Sequence, residues 1–258
     1  MRVSGHRPSL SRSTVRIGTW NLKLCPTSSS DRGRAMAAWL DTQQADLWLL
    51  TEVHAAWHPH GAAFVTSPPR SHDGDESKRW AGIEARLPLT EVEPDDREHA
   101  GAEGLALARV DLDGTSVLVA CSVLPWRGAG SYWRGLPDGQ FHQFRSVLDH
   151  HVARISAERR TGEPVVWGGD LNQELLQPHW AGTHDGARTL RAAFEYLGLT
   201  PLTAGMAHLN GQSHAIDHLA VSSDVLADRV EVHRPTWPDG RDLSDHAAYT
   251  ADVVLPRT

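Results

Sequence analysis

The chain has 258 residues, a formal net charge of −7 and a pI near 6.1, with 40% hydrophobic and 22% charged residues. This is an ordinary soluble, globular composition, and its acidity argues against a protein that grips nucleic acid through a broad basic surface. Cys25 and Cys121 offer no disulfide framework, and no window approaches the roughly 18 apolar residues of a membrane span.

Residues 1–14 carry several arginines but no apolar stretch of a secretory signal, so they read as a flexible basic tail on a cytoplasmic protein. Val15 to Trp20 is predicted as a strand. Ser30 and Asp31 then offer caps for a helix through Met36, Trp39 and Leu40. Ala45 to Thr51 is a continuous apolar run of strand length, as expected of a strand buried on both faces. Gly104 to Val110 and Ser116 to Leu124 flank Asp111-Leu112-Asp113-Gly114, a hairpin signal. After Asp138, Phe141, Phe144, Leu148, Val152 and Ile155 recur at helical spacing. A strand at Pro164 to Gly169, a helix from Arg188 to Leu197 and strands at Ala215 to Val221, Arg229 to His233 and Ala247 to Val254 complete the series. Strands outnumber helices and hairpins coexist with helices, which predicts an α+β sandwich. The polar stretch Ser67 to Lys78 is expected to be disordered without substrate. Cys121, inside a strand-like run, reads as a buried thiol.

Five apolar runs each end in a polar motif: Thr19-Trp20-Asn21, Leu50-Thr51-Glu52, Gly169-Asp170-Leu171-Asn172, Ile216-Asp217-His218 and Ser244-Asp245-His246. Their spacing is too wide for a local metal loop. They make sense if a sheet gathers Glu52, Asp170, Asp217 and Asp245 into one pocket with Asn21, Asn172 and His246. Carboxylates crowded in this way repel unless a hard cation sits among them, and oxygen ligands suit Mg²⁺ or Mn²⁺. Any cut between Asn21 and His246 would split this pocket, so residues 15–258 are read as one domain. Asp170 and Asn172, two apart, would share a side of an extended chain. His218 alternates with Asp217 and should face the other way. His54, His58 and His60 have a spacing that could ligate zinc, but 16 histidines make such clusters common by chance.

In this order the motifs resemble the endonuclease/exonuclease/phosphatase superfamily, from about Val15 to Val254. The resemblance implies a DNase I-like four-layer α/β/β/α sandwich of two mostly antiparallel sheets. It implies Glu52 as principal metal ligand, Asp245 as a second, and Asn21 as the amide that holds the glutamate and the phosphate. Asp170 would orient or deprotonate the attacking water, and Asn172 would donate to a phosphate oxygen. Asp217 would hydrogen-bond to His246, the essential imidazole, and fix its tautomer.

The chain departs from the family's pattern at three places, one of them a pair of residues. Lys23 stands where DNA-repair members often carry an aspartate, which favours one metal. Ser122 occupies the place of a histidine or tyrosine that contacts the scissile phosphate, leaving Arg127 to supply positive charge. Ala102 and Glu103 stand where relatives tend to carry an arginine. Trp126, Arg127, Trp133 and Arg134 are read as a stacking and phosphate-binding loop, against the alternative of an ordinary surface loop with a tucked tryptophan. The expectation is a monomeric, Mg²⁺-dependent phosphodiesterase acting on nucleic acid. Its rivals are a phosphatase or diesterase on inositol phosphates, lipid head groups or small nucleotides, and a member of the family that binds without cutting.

Overall fold

The computed structural model describes residues 14–57, 62–72, 74–93, 99–177, 180–209, 211 and 213–256. The expected tail up to residue 13, together with His58 and His60 of the histidine cluster, lies outside the described residues.

Two six-stranded sheets carry the fold. One runs β11-β12-β1-β2-β4-β3 and the other β5-β6-β7-β8-β10-β9. The first is built from β1 (Val15–Asn21), β2 (Leu47–His54), β3 (Ala63–Thr66), β4 (Lys78–Ala85), β11 (Leu226–His233) and β12 (Ala248–Val254). The second is built from β5 (Leu89–Glu91), β6 (Leu105–Leu112), β7 (Thr115–Val123), β8 (Val165–Asp170), β9 (Leu199–Pro201) and β10 (Asp217–Ser222). Neighbours are antiparallel except β1 with β2 and β7 with β8. Those two parallel pairs put the carboxyl ends of β1, β2 and β8 at the functional end of the sandwich.

Alternation along the strands sends one set of side chains inward. Ile17, Leu49, Ile83, Val119, Leu219 and Tyr249 pack between the sheets in the central core. The opposite set meets helices. Helix α1 (Asp31–Gln43), capped by Ser30 accepting from the Gly33 N–H at 3.1 Å, buries Met36, Ala37 and Leu40 against Trp20, Trp48 and Leu50. Helices α2 (Gln140–Glu158) and α3 (His184–Leu197) cover the second sheet, with Phe144, Leu148, Leu190 and Phe194 against Leu118 and Trp167. The layer order is therefore α/β/β/α, with the α+β class expected from the sequence.

Helix α3 begins earlier than the predicted Arg188, because Thr183 accepts from the Gly186 N–H and caps it there. Sequence reading passed over four strands, β3, β4, β5 and β9. The largest omission is β4, the central partner of β2, whose apolar run is broken by Gly82 and Glu84. Gly82 admits the Phe64 ring, whose atoms would lie 2.8 Å from an added Cβ. The start of the supposedly disordered Ser67 to Lys78 stretch is pinned. Ser67 is buried and donates from its N–H to the Ala81 carbonyl, and Pro69 bridges Arg79. Among the described residues, no helix is long and apolar enough to cross a membrane.

Candidate active site

Asn21, the last residue of β1, links the two sheets. Its side-chain amide donates to Glu52 Oε1 at 3.3 Å within its own sheet and to Asp170 Oδ2 at 3.0 Å on the other. Beyond it, Lys23, Leu24 and Cys25 all take left-handed backbone conformations, an unusual run for residues with a Cβ. That run aims two N–H groups into the site: Lys23 donates to Asn21 Oδ1 at 2.8 Å, and Leu24 to Glu52 Oε2 at 2.7 Å. Glu52 itself has φ +52° inside a strand. Such strain persists where surrounding contacts over-determine the chain, as these do.

On the second sheet, antiparallel β8 and β10 set Asp170 directly opposite Asp217. Gly169, with φ +118°, lets β8 pass β7, since a Cβ there would lie 2.2 Å from the Ser122 carbonyl oxygen. Asp170 is buried, and burial first, then the Asp217 carboxylate, raises its pKa. Asp217 is fully buried. Its Oδ2 accepts from His246 Nδ1 at 2.7 Å. Burial alone would depress His246, but Asp217 and Asp170 outweigh it and hold the imidazole as a cation, with its pKa raised to about 10. The loop bearing His246 is tied to β1 by Ser244, whose hydroxyl donates to the Asn21 carbonyl at 2.7 Å and accepts from the His246 N–H at 3.2 Å.

Asn21, Glu52, Asp170, Asn172, Asp217, Asp245 and His246 thus meet at one end of the sandwich. Two geometries differ from expectation. Asn172 does not continue an extended chain. It turns left-handed at φ +50°, gives its N–H to Asp170 Oδ1 at 3.1 Å and its side-chain amide to the Leu124 carbonyl at 2.9 Å. Asp245 is exposed and paired with Lys23, Nζ to Oδ2 at 2.8 Å. Burial pulls Asp245 upward, but Lys23 and His246 prevail and leave its pKa lowered.

The expectation for Ser122 is corrected. It is fully buried on the helix-facing side of β7, where its hydroxyl accepts from Trp167 Nε1 at 2.8 Å. Cys121, its neighbour, takes the inward side and lies buried with its thiol 3.3 Å from the Leu50 carbonyl oxygen. Trp133 is also a core residue. Trp126, Arg127 and Arg134 lie in the segment that follows Leu124, with Trp126 half-buried and both arginines exposed. His218 is structural: Nε2 lies 2.8 Å from the Gln173 carbonyl oxygen and Nδ1 3.1 Å from Thr203 Oγ1.

His208 was not anticipated. Its ring stands edge-on to His246 with centroids 5.5 Å apart, and burial lowers its pKa. One potential ligand atom from each of His208, Asp217 and His246 lies within 4.8 Å of the others. Asp217 Oδ1 and His208 Nε2 are buried without hydrogen-bond partners. Nothing around Met206-Ala207-His208 distinguishes this histidine in a chain that has 16. The donors around Glu52, by contrast, are oxygens. Burial first, and then the Asp217 carboxylate, raise Asp170, and a hard cation relieves negative charge gathered in this way.

Comparison with known proteins bears on this geometry. No curated protein matches the chain. Among solved structures, an AP endonuclease from Archaeoglobus fulgidus superposes with a TM-score of 0.65 at 15% identity, covering 92% of this chain and 98% of that one. D. rerio TDP2 complexed with single-strand DNA product gives 0.61 at 16%, covering 94% and 100%. The mannosyl-6-phosphatase Bt3783 of Bacteroides thetaiotaomicron gives 0.59 at 16%, covering 93% and 100%. At these identities the likeness is one of fold, the DNase I-like sandwich. The profile of the Endonuclease/Exonuclease/phosphatase family matches residues 18–246, a span that includes all five motifs, and the chain belongs to that family.

Proposed function

We propose that this chain is a divalent-cation-dependent phosphodiesterase that hydrolyses nucleic acid. The observation that carries the reading is the 2.7 Å pair of His246 Nδ1 with buried Asp217, set beside Asp170 in a cluster of oxygen donors. Held as a cation, His246 neutralises charge that grows on the phosphoryl oxygens as the transition state forms. Asp217 orients the ring and keeps its proton in place. Asp170, raised by burial and by Asp217, is suited to align a water and take its proton at neutral pH. Asn21 steadies Asp170 and Glu52 together, and Asn172 stands at the turn that presents Asp170. Glu52 and Asp245, with Asn21 beside them, would hold Mg²⁺ or Mn²⁺, which when bound supplies charge stabilisation at a phosphoryl oxygen and at the leaving alkoxide. Lys23 must then yield Asp245. Trp126, Arg127 and Arg134 would contact the substrate.

Relatives in fold include an AP endonuclease and a protein holding single-strand DNA product, which supports nucleic acid as the substrate; the mannosyl-6-phosphatase keeps phosphomonoesters as the rival. A panel of plasmid, single-stranded DNA, RNA, bis-p-nitrophenyl phosphate, inositol phosphates and sugar phosphates separates them. Hydrolysis of DNA or RNA with Mg²⁺ or Mn²⁺, lost in EDTA, is the expected outcome. Turnover of monoesters alone, or full activity in chelator, would overturn the proposal.

A further inference from the structure

Three stretches far apart in sequence are joined by hydrogen bonds. The Ser71 N–H and hydroxyl donate to the two oxygens of buried Glu103, at 2.5 and 3.1 Å, and the Arg134 N–H donates to the Ser71 hydroxyl at 3.2 Å. Glu103, where an arginine was expected, therefore acts as a buried anchor for two loops. Between those loops runs a chain of rings. Trp133 is buried, fixed by Nε1 donating to the Ala100 carbonyl at 2.6 Å, and stacks on Trp80 at 5.5 Å and 16°. Trp80 meets Trp126 edge-on at 5.4 Å, Trp126 meets Tyr132 at 5.8 Å, and Tyr132 meets His72 at 5.5 Å. The Arg70 guanidinium lies 3.5 Å from the Trp80 ring centroid. Exposure rises outward along the chain, from 1% at Trp133 and 4% at Trp80 to 50% at Tyr132.

Short links run from these rings to residues of the pocket. Trp126 follows Leu124, whose carbonyl holds the Asn172 amide, by two residues. Arg70 donates to the Arg79 carbonyl that also receives the Cys25 thiol, next to Leu24 on Glu52. Exposed Arg127 and Arg134 stand next to Trp126 and Trp133 in the sequence. Rigidly backed aromatic faces beside arginines bind nucleotides, because every nucleotide offers the π-face of its base to stack and a phosphate to pair.

Resting on the phosphodiesterase reading, we propose that Tyr132 and His72, backed by Trp126 and Trp80, form a stacking shelf for an unpaired nucleobase adjoining the scissile phosphate. The preferred substrate is then single-stranded or has a frayed end. The shelf reads a base without reading its identity.

Fluorescence anisotropy in EDTA, with a labelled oligothymidine dodecamer and an abasic strand of the same length, tests binding apart from cleavage. The parent should bind the oligothymidine tighter. Tyr132→Ala should weaken oligothymidine binding on the order of 10-fold and leave the abasic strand unchanged, while Tyr132→Phe keeps the preference. Circular dichroism of each variant reports folding. Equal binding of the two strands by the parent, an absence of binding, or discrimination that survives Tyr132→Ala would each overturn the shelf. Turnover on the substrate panel judges the phosphodiesterase reading separately. A chain that binds bases through Tyr132 without cutting would retain the shelf, and one that cuts but ignores bases would lose it.

Discussion

His246 concentrates the residue-scale argument. Its proton is held by carboxylates against the pull of burial, so the rate should fall at alkaline pH as that proton leaves, near 10. Asp217→Asn removes the largest favourable influence and should shift that alkaline limb downward; a kcat–pH profile of parent and variant checks the direction. The stability linkage has a definite sign. A folded pKa above the ordinary 6.5 stabilises the fold fully below that value, and the contribution is lost as pH rises through about 10. His246→Ala should lower kcat by at least about 10²-fold while circular dichroism remains that of the parent. Comparable turnover in that variant would place the chemistry elsewhere. At this scale Asn21, Glu52 and Asp170 were legible because each stands at or near the close of an apolar run, whereas Asp217 and Asp245 stand at or before the start of one. The Ser122 expectation failed because counting along a strand does not say which face a residue takes when the neighbouring layer offers an indole donor. His208 reaches the site by a turn closed from the Gly211 N–H to its own carbonyl, and no periodicity reports such a turn.

Among the elements, β4 has the most unusual composition. Its Glu84 is buried, accepts from Trp57 Nε1 at 2.7 Å, and is raised by desolvation to about 7. A carboxyl whose folded pKa exceeds its unfolded value holds more protons when folded. Stability therefore declines as pH climbs from about 4.5 to 7 and stays lower above that. Glu84→Gln keeps an acceptor for Trp57 and removes the buried charge. Urea unfolding should show the variant more stable by roughly 2–3 kcal/mol at pH 8 and nearly unchanged at pH 4.5. A variant less stable at pH 8 would refute this account of the strand. The same residue explains why β4 escaped sequence reading, since a charge and a glycine interrupt the apolar run that revealed β2. Strands β5 and β9 span three residues each, too short for alternation to register. The long helix α2 was plain because five apolar residues share one of its faces.

For the molecule as a whole, the two-sheet architecture was legible through motif order, whereas the strand order within each sheet depends on pairings between segments more than 200 residues apart, as in β1 with β12. A cation bound among the clustered carboxylates should stabilise the folded state alone. At about 100 times its dissociation constant Mg²⁺ would contribute roughly 2.7 kcal/mol, a rise in Tm of roughly 5–10 °C. Differential scanning calorimetry with Mg²⁺ against EDTA measures it, and Glu52→Gln should shrink the shift. An unchanged Tm in the parent would count against a metal at Glu52. Asn21 donating across to Asp170, and Ser244 tying the His246 loop to β1, carry a consequence for the time course of synthesis. A growing chain that has reached β10 already owns every carboxylate but Asp245, yet it lacks His246 and has no β12 beside β1. On the proposed function, hydrolytic competence should therefore arrive late and in one step, when β12 docks beside β1 and brings His246 to Asp217.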